Sequence, residues 1–201
     1  AIEVHFTPSY MFCPIHNRIM QKWFEEVMGE QCNHRVSLPD GYGEIHVPQV
    51  SFNVIYILSH LYRHIFTEGV GLRQLLDYYY VLISDDLLLI RDRVQKELKE
   101  LGLWKFAGGI MYIMQEVFGM PASRLIVPPN EKYGKFVLNE VLEAGNFGRH
   151  DARNRFGRSK LGHNLQRVYR DIRLVRYFPA EALCEPLFRI WHFFWRLKYK
   201  K

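Results

Sequence analysis

The sequence lacks the features that define several common classes of protein. Only three of its 201 residues are cysteines, Cys13, Cys32 and Cys184, and none of them stands in a C-x2-C pair. An odd number of scattered thiols argues against a disulfide framework and favours a reducing compartment. No uncharged apolar run approaches the roughly 20 residues that a membrane span needs, and no basic-then-apolar leader opens the chain. We therefore expect a cytoplasmic protein that does not cross a membrane.

Several catalytic motifs are missing as well. No G-x-S-x-G nucleophile motif occurs, and none of the cysteines stands in a recognisable nucleophile motif. The segment Gly69-Val70-Gly71 is too short for a glycine-rich phosphate loop, because it lacks a third glycine and a preceding strand. The sequence therefore gives little support for nucleophilic catalysis or for a phosphate-binding loop.

Acidic residues are scarce in the stretch from Arg149 to Arg176. Its basic residues are Arg149, Arg153, Arg155, Arg158, Lys160, Arg167, Arg170, Arg173 and Arg176. Only Asp151 and Asp171 oppose these nine, so the local excess of seven exceeds the net charge of +6 of the whole chain. Such a segment either attracts the phosphates of a nucleic acid or an acidic partner, or forms a solvated helix face.

The hydrophobic pattern predicts an α+β protein that is predominantly α-helical. A strand with an apolar face is expected over residues 1–7, and a β-hairpin over residues 35–48 with its turn at residues 39–43. Apolar residues then recur at helical spacing. The predicted helices are Pro14–Met28 with Gly29 as its terminator, Phe52–Phe66, Leu72–Ile83, Leu87–Leu101 with Asp85 or Asp86 as its cap, Leu103–Phe118, Glu131–Leu142 with Asn130 as its cap, Leu161–Tyr177, and a last helix that begins at Pro179. Gly108 and Gly109 inside a helix predict either close helix packing or a kink.

Polar residues gather around the predicted break between two of these helices. The cluster consists of His60, Arg63, His64, Arg73 and Asp77 around Gly69-Val70-Gly71. Residues four apart share a helix face, so we expect His60 to pair with His64 and Arg73 with Asp77. The cluster fits two roles: a binding site for an anionic ligand, or one buried ion pair beside two capping histidines.

Two short patterns contain side chains that zinc accepts. Cys13-x2-His16 is followed by Cys32-x-His34, although these spacings match no standard zinc motif. His60-x3-His64 has helical spacing for a metal, but it lacks the intervening Glu of a metalloprotease and an obvious third ligand. A metal site and ordinary buried side chains are both compatible with these patterns.

The polar face of the predicted first strand carries Glu3 and His5. A carboxylate on a rigid strand suits Mg²⁺, because hard cations prefer oxygen ligands. A single carboxylate does not make a metal site, however, and an exposed strand residue has the same pattern.

Three segments of the sequence together resemble the uncharacterised nucleotidyltransferase family of Bacteroidetes. They are Glu3-Val4-His5-Phe6, His60-x3-His64 and Gly71-Leu72-Arg73-Gln74-Leu75-Leu76-Asp77. Members of this family look like minimal polymerase-β-type nucleotidyltransferases, in which a short mixed sheet carries the metal carboxylates and a helical region follows. The resemblance implies a partial nucleotidyltransferase-like portion over residues 1–48 and a helical domain over residues 49–201.

The resemblance implies transfer of a nucleoside monophosphate from a nucleoside triphosphate to an acceptor hydroxyl, with Mg²⁺ as cofactor. Glu3 takes the place of one catalytic metal carboxylate, and His64, Arg73 and Asp77 match the helical motif and are assigned to nucleotide binding. Arg73 is expected to face phosphate or to be oriented by Asp77, since a guanidinium suits both. Gln74 and the aromatic run Tyr78–Tyr80 are further candidates for contact with a base.

The other two metal carboxylates of the family come from a Gly-Ser and Asp-x-Asp element, which these 201 residues do not contain. We therefore expect the chain to be the C-terminal portion of such a protein, inactive alone, with that element upstream of Ala1. The strand at the very start and the missing initiating Met point the same way. The competing expectation is a non-catalytic helical module. In that case residues 149–176 bind nucleic acid or an acidic partner, and Arg73 and Asp77 form only a core ion pair.

Overall fold

The computed structural model describes residues 7–31, 33–144 and 160–199. These residues form a predominantly helical α+β fold with one β-hairpin, as the sequence predicts. The helices are α1 (Pro14–Gln31), α2 (Val50–Thr67), α3 (Leu72–Leu82), α4 (Asp86–Leu89), α5 (Arg91–Glu100), α6 (Trp104–Glu116), α7 (Glu131–Ala144), α8 (Lys160–Leu174) and α9 (Pro179–Tyr199). Residues 1–6 of the predicted first strand lie outside the described part of the chain, and the division between residues 48 and 49 stays a prediction.

The predicted hairpin is confirmed. Strand β1 (Arg35–Ser37) pairs antiparallel with β2 (Glu44–His46), with Val36 opposite Ile45. A 3₁₀ turn over Pro39–Gly41 connects them, and Asp40 adopts a positive φ of 57° there. Both strands are exposed, so this hairpin lies outside the hydrophobic core.

Two predicted helix boundaries are wrong. Helix α1 continues through Gly29 to Gln31, because Gly29 does not adopt the positive φ with which a glycine ends a helix. The single helix predicted over Leu87–Leu101 is interrupted at Ile90, where φ is −111° and ψ is 9°. Neither Asp85 nor Asp86 is confirmed as a side-chain cap, since Asp85 precedes α4 without a cap hydrogen bond.

The core is built around α2. Val54, Ile55 and Leu58 of this helix are fully buried, and α2 contacts α3, α4, α5 and α8. Phe178, between α8 and α9, inserts into the same core, with its ring centroid 5.2 Å from that of Tyr62 and 5.9 Å from that of Phe106. The C-terminal helices are thereby joined to the core that the first half of the chain forms.

Glycine residues allow α6 and α7 to pack closely. A Cβ atom on Gly109 would lie 3.1 Å from the backbone of Tyr133, and one on Gly134 would lie 2.2 Å from the Tyr112 ring. Close packing, rather than a kink, therefore explains the glycine pair in α6. Asn130 caps α7 as predicted, since its Oδ1 accepts a hydrogen bond from the Tyr133 amide at 3.2 Å.

Within the described residues, none of the helices has the length and apolar character that crossing a bilayer requires.

Candidate functional site

The predicted corner between two helices is present. Helix α2 ends at Thr67, and the amides of Glu68 and Gly69 both donate to the His64 carbonyl, at 3.0 and 2.7 Å. Gly69 adopts a φ of 90°, a left-handed conformation that glycine enters at little cost after a helix end. The chain then turns through Val70, which is buried, into α3. The glycine break therefore positions the end of α2 beside the start of α3.

His60 and His64 pair as their spacing predicts. Their Nε2 atoms are 2.8 Å apart, so one ring donates a hydrogen bond and the other accepts it. The His64 Nδ1 atom is 3.6 Å from the Glu68 carboxylate, and the Arg63 guanidinium is 3.4 Å from the Nδ1 atom of His60. His64 is buried and His60 is half-buried, so the pair spans from the core toward the surface.

Arg73 and Asp77 are exposed on the surface of α3. Neither side chain makes a hydrogen bond or an ion pair within the described part of the chain, either with each other or with His64. The core ion pair that was one interpretation of the sequence is therefore wrong for these two residues. Their charges face solvent, where the Arg73 guanidinium is accessible to an anion.

Gln74 and the aromatic run Tyr78–Tyr80, the other candidates on α3 for contact with a base, do not form one site. Gln74 caps its own helix, because its Oε1 atom accepts the Gly71 amide at 2.8 Å. Tyr78 is fully buried and donates its hydroxyl to the Val54 carbonyl at 3.1 Å, and burial raises its pKa well above the ordinary value. Tyr78 is thus a core residue, whereas Tyr80 is largely exposed. Glu3 lies outside the described residues, so its predicted role stays a prediction.

A second cationic surface lies where α8 and α9 meet the end of α2. It borders a cavity of about 350 Å³. The residues that line this α8–α9 cavity are Tyr10, Phe12, Thr67, Arg167, Glu185, Phe188, Arg189, His192 and Arg196. Three arginines, one histidine and three aromatic rings therefore share the cavity with one carboxylate.

Some arginines at the α8–α9 cavity form hydrogen bonds within the protein, and others are exposed to solvent. Arg189 donates to Glu185 at 2.9 Å and to Asn164 at 3.2 Å. Arg170, which is buried behind the cavity, donates to the Thr67 carbonyl. Arg167 and Arg196 are exposed. These two exposed arginines are the ones best placed to meet an external anion.

The predicted basic stretch is only partly a solvated face. Residues 149–159 lie outside the described part of the chain. Within α8, Arg173 forms a half-buried ion pair with Glu140 of α7 at 3.2 Å, and its guanidinium lies 5.0 Å from the centre of the Tyr169 ring. Arg170 and Arg173 therefore attach α8 to the rest of the fold, while Arg167 and Arg176 face solvent.

Sequence reasoning missed the contribution of α9 to this cavity. Arg189, His192 and Arg196 are spaced three and four residues apart, which places them on one face of a helix. This spacing is present in the sequence, but the aromatic residues between these three positions make it hard to recognise. Tyr10 and Phe12 come to the cavity from a loop that precedes α1, and no local pattern marks them.

The protein is thus a mostly helical α+β fold that exposes cationic side chains at the start of α3 and between α8 and α9. The sequence model of the uncharacterised nucleotidyltransferase family matches residues 1–119, more than half of the chain. The chain therefore belongs to this family. No curated protein and no solved structure matches it. The matched residues include α2 and α3, and exclude α8 and α9.

Proposed function

We propose that this chain belongs to an enzyme that transfers a nucleoside monophosphate from a nucleoside triphosphate to an acceptor hydroxyl. Membership in a nucleotidyltransferase family supports this proposal, and the family match covers the His64, Arg73 and Asp77 positions. The observation that carries the assignment of the site is the exposed Arg73, which lies at the start of α3 without an ion-pair partner among the described residues.

In the proposed site Arg73 binds the phosphates of the nucleotide. A guanidinium donates two parallel hydrogen bonds to phosphate oxygens and stays charged at every physiological pH. Asp77 lies one turn further on the same face, where it orients a bound Arg73 or accepts a hydrogen bond from a sugar hydroxyl. His64 is oriented by its hydrogen bond with His60 near the end of α2, the helix that precedes this corner.

The residues that the structure describes do not fit the Mg²⁺ ion that the family resemblance implies. Mg²⁺ prefers an octahedral set of oxygen ligands. The one group of at least three candidate metal ligands among the described residues contains a thiol and an imidazole, from Cys13 and His16, beside the Glu181 carboxylate. No step of the reaction can therefore be derived through Mg²⁺ from these residues. The proposed transfer depends on carboxylates beyond the described part of the chain, and we expect these 201 residues alone to bind nucleotide without turning it over.

Titration calorimetry with ATP, GTP, CTP and UTP tests the nucleotide site. We expect at least one triphosphate to bind the wild-type chain and Arg73→Ala to weaken that binding about tenfold or more, the usual effect of losing a charge-assisted hydrogen-bond pair. Arg18→Ala is the matched control, since Arg18 is also exposed and lies on α1, outside the corner. Equal loss of affinity in both variants, or no effect of Arg73→Ala, would count against the site.

The α8–α9 cavity supports a second candidate function, the binding of single-stranded nucleic acid. Exposed Arg167 and Arg196 supply charge for a phosphate backbone, and the rings of Tyr10 and Phe188, stacked on each other with centroids 5.4 Å apart, supply an aromatic surface. Binding of this kind weakens steeply with salt, because each neutralised phosphate releases counterions.

Fluorescence anisotropy with a labelled single-stranded RNA at increasing salt measures this second function. We expect the double substitution of Arg167 and Arg196 by Ala to lower the affinity and to reduce the slope of log affinity against log salt by about two. The same variant should leave triphosphate binding unchanged. An RNA affinity that is insensitive both to salt and to this variant excludes the cavity as a nucleic-acid site.

A further inference from the structure

Three potential metal ligands converge where the start of α1 meets the first turn of α9, and a cysteine lies next to them. Cys13 precedes α1 directly, and His16 lies in its first turn. Glu181 and Cys184 lie in the first turns of α9. Both pairs are spaced three residues apart, so each presents two side chains from one face of its element.

The ligand atoms are close enough to share an ion. The Cys13 thiol, a ring nitrogen of His16 and a carboxylate oxygen of Glu181 all lie within 4.8 Å of one another. The His16 Nδ1 and Glu181 Oε1 atoms are 3.0 Å apart. Ligands at the usual zinc distances form a tetrahedron with edges of roughly 3.3 to 3.8 Å. Shifts of about 1 Å would therefore bring these three atoms to zinc-binding distances.

A cysteine of α9, Cys184, is the candidate for a fourth ligand. The Cys184 side chain is half-buried and lies in the neighbourhood of Cys13 and Glu181. Two thiols, one imidazole and one carboxylate form a set that favours Zn²⁺ over Mg²⁺ or Ca²⁺.

The surroundings already orient these ligands. Glu181 Oε2 accepts hydrogen bonds from the amides of Phe12 and Cys13, at 2.6 and 3.1 Å, so Oε1 is the oxygen directed at His16. A Cβ atom on Gly102 would lie 2.7 Å from the His16 Nε2 atom, so the turn before α6 fits closely around the ring. This contact leaves Nδ1 as the nitrogen directed at the cluster. Fixed second contacts of this kind raise the affinity of a metal site.

We propose that Cys13, His16, Glu181 and Cys184 form a structural zinc site that ties the start of α1 to the first turn of α9. The ligands come from segments about 165 residues apart, as the His16–Glu181 contact shows. Zinc here joins the family-matched first half of the chain to its C-terminal helices. The proposed ligands include none of the residues that line the α8–α9 cavity and none of the exposed residues of α3, Arg73 and Asp77.

Metal analysis of the purified chain, kept reduced and dialysed against zinc, tests this site. We expect one zinc per chain, and a cobalt-substituted protein with the intense visible absorption of tetrahedral thiolate coordination. Cys184→Ser should lower the zinc affinity more than about tenfold while the circular dichroism spectrum stays unchanged. Glu181→Gln provides an independent test, because the amide oxygen still accepts the amides of Phe12 and Cys13 but is a weaker metal ligand.

The third cysteine provides the control. Cys32→Ser should retain zinc and the cobalt spectrum in full. A chain that binds no stoichiometric zinc, or one that keeps its affinity in Cys184→Ser and Glu181→Gln, would overturn the proposal. Loss of zinc in Cys32→Ser and His34→Ala, with retention in Cys184→Ser, would overturn it in favour of the Cys13, His16, Cys32 and His34 pattern.

Discussion

Small residues set the distance between α6 and α7. Gly134 faces Tyr112, and a Cβ atom there would overlap the ring at 2.2 Å, with the Tyr112 Cβ itself at 2.5 Å. The obstruction includes the root of a side chain, which cannot swing away as a flexible tip does. The helices must therefore separate or shift if a methyl group is added.

Gly134→Ala is expected to destabilise the fold by a net of about 1–2 kcal/mol. Overpacking costs about 1–3 kcal/mol, and the better helix propensity of alanine returns at most about 1 kcal/mol. Urea denaturation measures the difference. Gly29→Ala is the matched control, since it is helical with open space around it, and we expect it to stabilise the chain by about 0.5–1 kcal/mol. Stabilisation by both substitutions would show that the helices are not in close contact.

A buried acid pair lies between α8 and α9. Burial, together with the facing Glu185 carboxylate, raises the pKa of Asp171 to about 8, and the guanidinium groups of Arg189 and Arg170 only partly oppose this shift. In the folded chain Asp171 therefore keeps its proton to a pH at which the unfolded chain has lost it. The unfolded state then binds fewer protons than the folded state between about pH 4 and pH 8, so the stability that this group contributes falls as the pH rises through that window.

Asp171→Asn should remove this pH dependence. Near pH 4 the variant and the wild type are expected to have similar free energies of unfolding, and near pH 8 the variant should be the more stable, because an amide does not ionise. Denaturation curves from pH 4 to pH 9 provide the comparison, with Asp92→Asn on the exposed face of α5 as the control. Parallel pH profiles of wild type and Asp171→Asn would show that Asp171 is ionised in the folded chain.

Single residues also show what the sequence could reveal about the site. The pairing of His60 with His64 follows from their spacing alone, because helical geometry fixes which residues are neighbours. The absence of an ion pair between Arg73 and Asp77 does not follow from spacing, since both partners are exposed and water competes for both charges. Glu181 carries no local signal, because its contacts with Cys13 and His16 arise only when the two ends of the fold meet.

At the scale of elements, helix α3 shows that a residue interpreted from the sequence as a ligand contact can instead cap its helix. Gln74 stands in the middle of the segment that resembles the family motif, where it was a candidate for contact with a base. Its side chain accepts the Gly71 amide and so completes the start of the helix. The residue therefore has a structural role that its sequence neighbours do not suggest.

Gln74→Ala is expected to lower stability by about 0.5–1 kcal/mol and to leave the dissociation constants of nucleoside triphosphates unchanged. Gln74→Glu should retain stability, because a glutamate at this position accepts the same amide. Thermal denaturation and calorimetry on the same samples give both values. A loss of nucleotide affinity in Gln74→Ala at unchanged stability would show that Gln74 contacts the nucleotide.

The helix pattern was predictable to within a few residues because apolar side chains recur at a helical period in most elements. The interruption at Ile90 was not, since the sequence there contains neither proline nor glycine and the apolar pattern runs through it. The hairpin followed from its turn residues, although its exposed strands contribute nothing to the core.

At the scale of the whole molecule, two cationic surfaces are candidates for binding a ligand that carries phosphate groups. The Arg73 surface lies within the residues that match the nucleotidyltransferase family, and the α8–α9 cavity is formed largely by helices beyond them. Phe178 and the buried Arg170 join the two halves through one core. We therefore propose nucleotide binding at the first surface and a separate ligand at the second.

The most direct test of this assignment is the affinity for nucleoside triphosphate measured side by side in Arg73→Ala and Arg167→Ala. Each substitution removes one exposed arginine, so the two variants have the same net charge. We expect Arg73→Ala to weaken triphosphate binding about tenfold or more, and Arg167→Ala to bind triphosphate as the wild type does. The reverse result, with affinity lost in Arg167→Ala and retained in Arg73→Ala, would contradict this expectation and place the nucleotide in the α8–α9 cavity.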